Sequence, residues 1–265
     1  MPSPSLTALA LVLLGVTIAS AATAGGVDGD TFSHSGWTLV LEDFVDERGF
    51  VDYEALTRDR SRLDAYVDAI AETSPETSPD LFPTSAHALA YYINAYNALV
   101  IRGVVDRGPE QESVWRGLVS GLNFFVLMRV EVGGERMSLK YLEDKIVRAR
   151  FDDARVHAAL NCASISCPRL PRKAFEAAGL DAQLESAMAE FVGDPRHVRV
   201  DAERGILWLS KIFDWYGNDF LEDERRHGSD DPTLIDYIDR FRDGSALPRD
   251  LKIRFGPYDK GLNKQ

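Results

Sequence analysis

SAHALAYYINAYNALVIRGVV, residues 85–105, repeats its apolar side chains at steps of three and four. Leu89, Tyr92, Ile93, Tyr96, Leu99, Val100 and Val104 fall on one face and predict a helix. A second stripe, Ala90, Asn94, Asn97 and Ile101, sets two amides one turn apart among small or apolar neighbours. Buried amides demand partners, so Asn94 and Asn97 either satisfy backbone groups or face a polar pocket. Ahead of the helix, the three prolines of SPETSPDLFPTS (74–85) break regular structure and deliver the chain to a start at Thr84 or Ser85.

Upstream, Trp37 to Phe44 is apolar-rich, Glu47-Arg48-Gly49 reads as a turn, and Leu63, Tyr66, Val67 and Ile70 give Arg60 to Ala71 helical spacing. Downstream, Val126 to Val132 and Glu135-Arg136-Met137 form a hairpin across Gly133-Gly134, and Ser138 caps a helix from Leu139 to about Arg148. Val156 to Leu160 reads as a short strand that leaves through a turn at Asn161 to Ser164. Further helices are expected near 184–191, 211–220 and 234–241, with a hairpin of 197–200 and 206–209 and a last strand near 251–255. Strands that arrive as hairpins, without regularly interleaved helices, indicate an α+β domain.

The chain has 265 residues, and its 45% hydrophobic content suffices for a sizeable core. A formal charge of −12, with no basic stripe interleaved with aromatics, excludes nucleic acid as a partner. Leu6 to Ala19 has the length of a secretory apolar segment, and the small-x-small triplets Ala19-Ser20-Ala21 and Ala22-Thr23-Ala24 follow it. The expectation is a signal peptide over 1–24, a flexible lead-in over 25–36 and one α+β domain over 37–265. The protein is then periplasmic or secreted, with no stable membrane insertion after cleavage.

HAALNCASISCPRLP (157–171) holds both cysteines of the chain, Cys162 and Cys167, near His157. Two readings stand. In one, Cys162 is a nucleophile: a nearby imidazolium lowers the thiol pKa and then protonates a leaving amine, while Glu143, Asp144 or Asp152 orients the imidazole. Cys162 then labels ahead of Cys167, at pH values below the ~8.5 of a free cysteine. In the other reading a Cys162–Cys167 disulfide closes a short loop in a noncatalytic exported binding or scaffold domain. Zinc-type cysteine pairs, HExxH and GxSxG are all absent from the sequence, so neither a metal nor a cofactor is expected.

YYINAYNALVIR, MSLKYLEDKIVR, RVHAALNCASISCPRL, VRVDAERGILWLSKIFDWYGNDF and PYDKGLN, in that order, resemble the domain-of-unknown-function family 547. The resemblance implies a fold similar to papain-like and transglutaminase-like thiol enzymes, with a central helix packed on a mainly antiparallel sheet. It carries over Asn94, Asn97, Glu143, His157, Asn161, Cys162 and Cys167 as marked positions. Arg169 and Lys260 depart from the family's pattern. The expected function is a thiol-dependent hydrolase or acyl transferase acting on a peptide or small amide. Cys162 is its nucleophile, His157 its base and then acid, Glu143 the orienter and Asn94, or backbone amides near Cys162, the oxyanion donor, with Asn97, Asn161 and Cys167 as binding positions. Water as acceptor gives hydrolysis; an amine gives transfer. The sequence leaves the oligomeric state open.

Overall fold

The computed structural model describes residues 27–28, 30–116 and 122–265. A short hairpin, β1 (Val27–Asp28) with β2 (Thr31–Phe32), leads into helices α1 (Ser35–Phe44), α2 (Tyr53–Arg58), α3 (Ser61–Glu72) and α4 (Ser85–Arg107). A second hairpin, β3 (Val130–Val132) with β4 (Glu135–Met137), precedes a helical stretch of α5 (Leu139–Tyr141), a π turn at Leu142–Val147 and α6 (Arg148–Phe151). Then come α7 (Val156–Ala159), α8 (Leu180–Gly193), β5 (Val198–Asp201), β6 (Ile206–Leu209), α9 (Lys211–Trp215), α10 (Gly217–Arg226), α11 (Leu234–Phe241) and β7 (Lys252–Phe255). β5 pairs antiparallel and β7 parallel with β6, so the fold is α+β with small antiparallel and mixed sheets.

Helix α4 begins at the expected cap, with the Thr84 hydroxyl accepting the His87 N–H. Its burial goes beyond one face: Tyr91, Asn94, Ala95 and Ala98 are buried together with the periodic stripe. The principal neighbours of α4 are helical, namely α3, the π turn, a 3-10 turn at Ala177–Gly179, α2 and α5. This explains how a helix with apolar residues nearly all round lies at the centre of the first core. The β3–β4 turn uses Gly133 and Gly134 at φ 57° and 79°. A Cβ on Gly133 would collide with the Ser74 hydroxyl, so this turn is specified both by conformation and by close approach.

Three expectations change. The segment 156–160 forms a helical turn, not a strand: Val156, His157 and Ala158 donate their N–H groups to the carbonyls of Asp153, Ala154 and Arg155. Tertiary packing overrides the β preference of Val156, because one helical turn serves two cores at once. Val156 and Ala159 enter the core around α4, and Ala158 enters a second core built by α8, α9, α10, α11 and the three-stranded sheet. The helix expected over 211–220 is broken at Tyr216, which separates α9 from α10. The lead-in expected over 25–36 is packed structure from Thr31 onward. Phe32 is buried against Phe82 and Tyr91, and His34 Nδ1 lies 2.7 Å from the Tyr66 hydroxyl. The leader expected over 1–24 and its cleavage sites lie outside the described residues.

Candidate functional site

Where the two cores meet, a cavity of about 450 Å3 opens beside α7. Tyr96, Phe125 and Leu160 line it from the first core, and Ile212, Tyr216 and Tyr258 from the second. Cys162, Cys167, His157 and Glu143 all line this one cavity. Such a seam, largely apolar with a few convergent polar groups, is where ligand sites form in folds of this kind.

The cysteine loop is held by amides. Asn97 Nδ2 donates to the Ala159 carbonyl at 2.9 Å, and its Oδ1 accepts the Asn161 N–H at 2.8 Å. Asn161 in turn donates to the Pro168 carbonyl at 2.9 Å and accepts the Ala163 N–H at 2.9 Å. Ala163 is thereby kept at φ 59°, a left-handed conformation that costs a residue with a Cβ about 1–2 kcal/mol. Asn263 Nδ2 reaches Asn161 Oδ1 from the far end of the chain, and the Tyr53 hydroxyl holds Asn263. Asn97 and Asn161 therefore shape the loop.

Asn94 departs from the role expected of it. Its Nδ2 donates to the Phe175 carbonyl at 2.8 Å and its Oδ1 accepts the Phe175 N–H at 3.0 Å, so both ends of the amide are spent on backbone. It is fully buried and does not line the cavity, which removes it as an oxyanion donor. The reason is position: Asn94 lies one helical turn before Asn97 and meets the 174–176 segment instead of the cysteine loop.

Both cysteines are free thiols, Cys162 half-buried and Cys167 buried. Their sulfurs are 2.7 Å apart. The Cys162 N–H donates to Cys167 Sγ at 3.0 Å, and the Tyr258 hydroxyl lies 3.2 Å from Cys162 Sγ and 3.3 Å from Cys167 Sγ. Burial raises the Cys167 thiol, but hydrogen bonds from the Cys162 thiol, the Tyr258 hydroxyl and backbone N–H outweigh it and hold the group below the usual thiol range. Cys162, donating to Cys167 and buried beside it, is pushed well up. A fixed backbone N–H points at the Cys167 sulfur, so Cys167 is the thiol of the pair that is held down and Cys162 the one that is pushed up. The hydrogen-bond partners of the Cys162 thiol are Cys167, Ser164 and Tyr258, and none of them is His157.

His157 finds a different partner as well. Its Nε2 is 2.8 Å from Asp219 Oδ2 at the start of α10, and no hydrogen bond joins it to Glu143. Arg148 grips the same carboxylate through Nε at 2.8 Å and Nη2 at 3.0 Å. Burial would raise the Asp219 carboxyl, but His157 and Arg148 hold it well below the usual range. An ionised carboxylate only accepts, so the imidazole N–H sits on Nε2 and Nδ1 is left for proton exchange. The ring stacks on Tyr216, with centroids 4.1 Å apart. Glu143, set in the π turn, instead accepts the hydroxyl protons of Tyr96 and Tyr216. Asp144 pairs with Lys140 and Arg148, and Asp152 lines a different pocket. None of the three acids proposed from sequence orients His157. Asp219→Asn leaves Arg148 with Asp144 as its remaining carboxylate and frees the His157 tautomer, and an unfolding midpoint in urea is expected to report a loss of roughly 2 kcal/mol. A loss below about 0.5 kcal/mol would contradict the clamp.

Asp219 and Tyr258, which sequence reading missed, stand 62 residues from His157 and 96 from Cys162. The only signal for them was their presence in the aromatic stretches WYGND and PYD. Lys260, a departure from the family pattern, lies over the Trp115 ring at 4.8 Å, at the cavity's edge.

No curated protein and no solved structure matches the chain, and the expected likeness to papain-like and transglutaminase-like enzymes finds no support there. The loop-shaping amides Asn97 and Asn161, the Glu143 turn, His157 and both cysteines all fall in one segment, while Asp219 and Tyr258 lie beyond it. That segment, residues 82–192, matches the family described as "Protein of unknown function, DUF547".

Proposed function

We propose that the cavity is the site of a thiol-dependent hydrolase or acyl transferase acting on a peptide or small amide. The observation that carries this reading is that a half-buried thiol and an imidazole clamped by a carboxylate line the same cavity. Cys162 Sγ attacks the carbonyl carbon while its proton passes to the Cys167 sulfur 2.7 Å away. The Tyr258 hydroxyl, 3.2 Å from Cys162 Sγ, is the donor for the oxygen that becomes negative. His157, with its Nε2 N–H fixed on Asp219, uses the lone pair of Nδ1 to carry the proton that Cys162 passed to Cys167 on to the leaving amine, then takes one from the incoming water or amine and returns it to the thiol pair as the acyl group leaves. Glu143 acts through the two tyrosines it holds and shapes the wall.

On this reading the acidic protein takes no nucleic acid, and the apolar segment Leu6 to Ala19 acts as a leader that directs it to the periplasm or medium. Amino-terminal sequencing of the exported protein is expected to read from Ala22 or Gly25.

The decisive experiment compares p-nitrophenyl acetate with the matching p-nitroanilide. Only the anilide needs a protonated leaving group, so His157→Ala is expected to slow the anilide by roughly 10²-fold or more and the ester far less. Intact mass should place one acetyl group on Cys162. A parent protein that is never acetylated at Cys162, or a His157→Ala variant as fast as the parent on the anilide, would sink the reading.

A further inference from the structure

At 2.7 Å the two sulfurs are well inside the roughly 3.5–4 Å separation of unbonded heavy atoms, and closure to a bond of about 2.05 Å needs a shift of less than about 1 Å. The loop between them is already bent for closure. Asn161 brackets it at Ala163 and Pro168, the Cys167 N–H donates to the Ser164 carbonyl at 2.9 Å, and Ala163 holds its left-handed φ. The two cysteines are not equivalent. Cys162 is half-buried on the cavity wall and Cys167, 4% exposed, lies against it. This is the layout of an attacking sulfur backed by a second sulfur that removes whatever the first one acquires.

We propose that Cys167 is the resolving thiol of Cys162, so that the pair reduces a hydroperoxide by two electrons and stops at an intrachain disulfide. In the first step Cys162 Sγ attacks the distal peroxide oxygen, the O–O bond breaks, and Cys162 becomes a sulfenic acid as an alcohol or water leaves. In the second, Cys167 Sγ attacks Cys162 Sγ, the S–O bond breaks, the S–S bond forms and water leaves. The sum is two thiols and one hydroperoxide giving one disulfide, one alcohol and one water. The Tyr258 hydroxyl is within 3.3 Å of both sulfurs and supplies a hydrogen bond to the departing oxygen. The hydrogen bonds from the Cys162 N–H and the Tyr258 hydroxyl that hold Cys167 below the usual thiol range favour the second step. The inference rests on Cys162 being the accessible thiol of the proposed function, and it adds a consequence: oxidation removes that nucleophile reversibly, and an external thiol restores it.

The test treats the intact protein with one equivalent of hydrogen peroxide and follows its mass and its free thiols. The parent is expected to lose about 2 Da, to lose both iodoacetamide-reactive thiols and to recover them with dithiothreitol. Cys167→Ala is expected to gain about 16 Da at Cys162 and to be trapped there by dimedone. His157 takes no part in closure, so His157→Ala should lose the 2 Da within about twofold of the parent rate while its anilide activity falls. Closure in a protein that never acetylates Cys162 would count against the hydrolase alone. A parent that gains oxygen at Cys162 while Cys167 stays free, or that bridges only between chains, overturns the resolving role, and this readout needs no variant to fold.

Discussion

Acidification from pH 7 to about 4.5 is expected to remove several kcal/mol of stability before the paired carboxylates protonate. Two buried histidines cause it. His34 is 5% exposed with Nδ1 on the Tyr66 hydroxyl, and burial first, then the charge of His87, lowers it from 6.5 to about 3. His197 is 2% exposed against Phe191, its Nε2 has no partner, and burial lowers it to about 4 although Asp194 pulls the other way. Both groups are neutral when folded and take up a proton near pH 6.5 when unfolded. Their contribution is therefore intact above pH 6.5 and is lost as pH falls below it, until His197 protonates in the folded state near 4 and His34 near 3. Two protons correspond to a limiting slope of about 2.7 kcal/mol per pH unit. Asp219 acts in a lower window: with its carboxyl held down by His157 and Arg148, its contribution is present above the unfolded value near ~3.9 and fades only below it. Urea unfolding across pH 7 to 4.5 measures the slope, and a value under about half a proton would contradict the two-histidine account. His197→Leu removes the unpartnered nitrogen. It should cost no more than about 1 kcal/mol at pH 7 and flatten the slope by about one proton.

Neither histidine is conspicuous in the sequence, whereas α4 is. Leu89, Tyr92, Tyr96 and Val100 announce its buried face by spacing, and Thr84 announces its start. That Tyr91 and Ala95 are buried too depends on α2, α3 and the π turn closing around the helix, which no local periodicity encodes. The second hairpin was legible for a local reason, since two successive glycines between apolar runs leave few other turns. The strand expected at 156–160 failed because five residues carry too little pattern to separate one helical turn from one short strand.

The candidate site divides along the same line. Cys162, Cys167 and His157 lie close in sequence, so their shared cavity was foreseeable. The partner of His157 was not. Glu143 is near in sequence and does line the cavity, yet the π turn aims it at Tyr96 and Tyr216. Asp219 reaches the imidazole only because α10 starts anew after Tyr216. Asn94 and Asn97 illustrate the limit most directly. Both amides were expected to meet either backbone or pocket, and only the tertiary placement of Phe175 and of Ala159 to Asn161 decides for backbone in each case.

Asn97→Ala is accordingly expected to cost roughly 4 kcal/mol, about twice the effect of Asp219→Asn. Asn97 is 2% exposed, and its truncation leaves the Ala159 carbonyl and the Asn161 N–H without partners in the interior. Each orphaned group costs about 1–3 kcal/mol, and the space left by the amide adds to the loss. Asn94→Ala should cost about as much, because it orphans both backbone groups of Phe175 in the same way. The two variants part company at the cysteines. Asn97 holds the residue that brackets the Cys162–Cys167 loop, so its loss shifts both sulfurs, and a misplacement of about 1 Å is enough to change reactivity by up to ~10²-fold. The side-chain hydrogen bonds of Asn94 go to Phe175, not to the cysteine loop, so the Cys162 alkylation rate in folded Asn94→Ala should stay within about twofold of the parent. Measured in the cold, where both variants are still mostly folded, equal alkylation rates would show that the amide of Asn97 supports the helix but does not place the thiols. A tenfold or larger difference confined to Asn97→Ala would tie the central helix to the chemistry of the loop it holds.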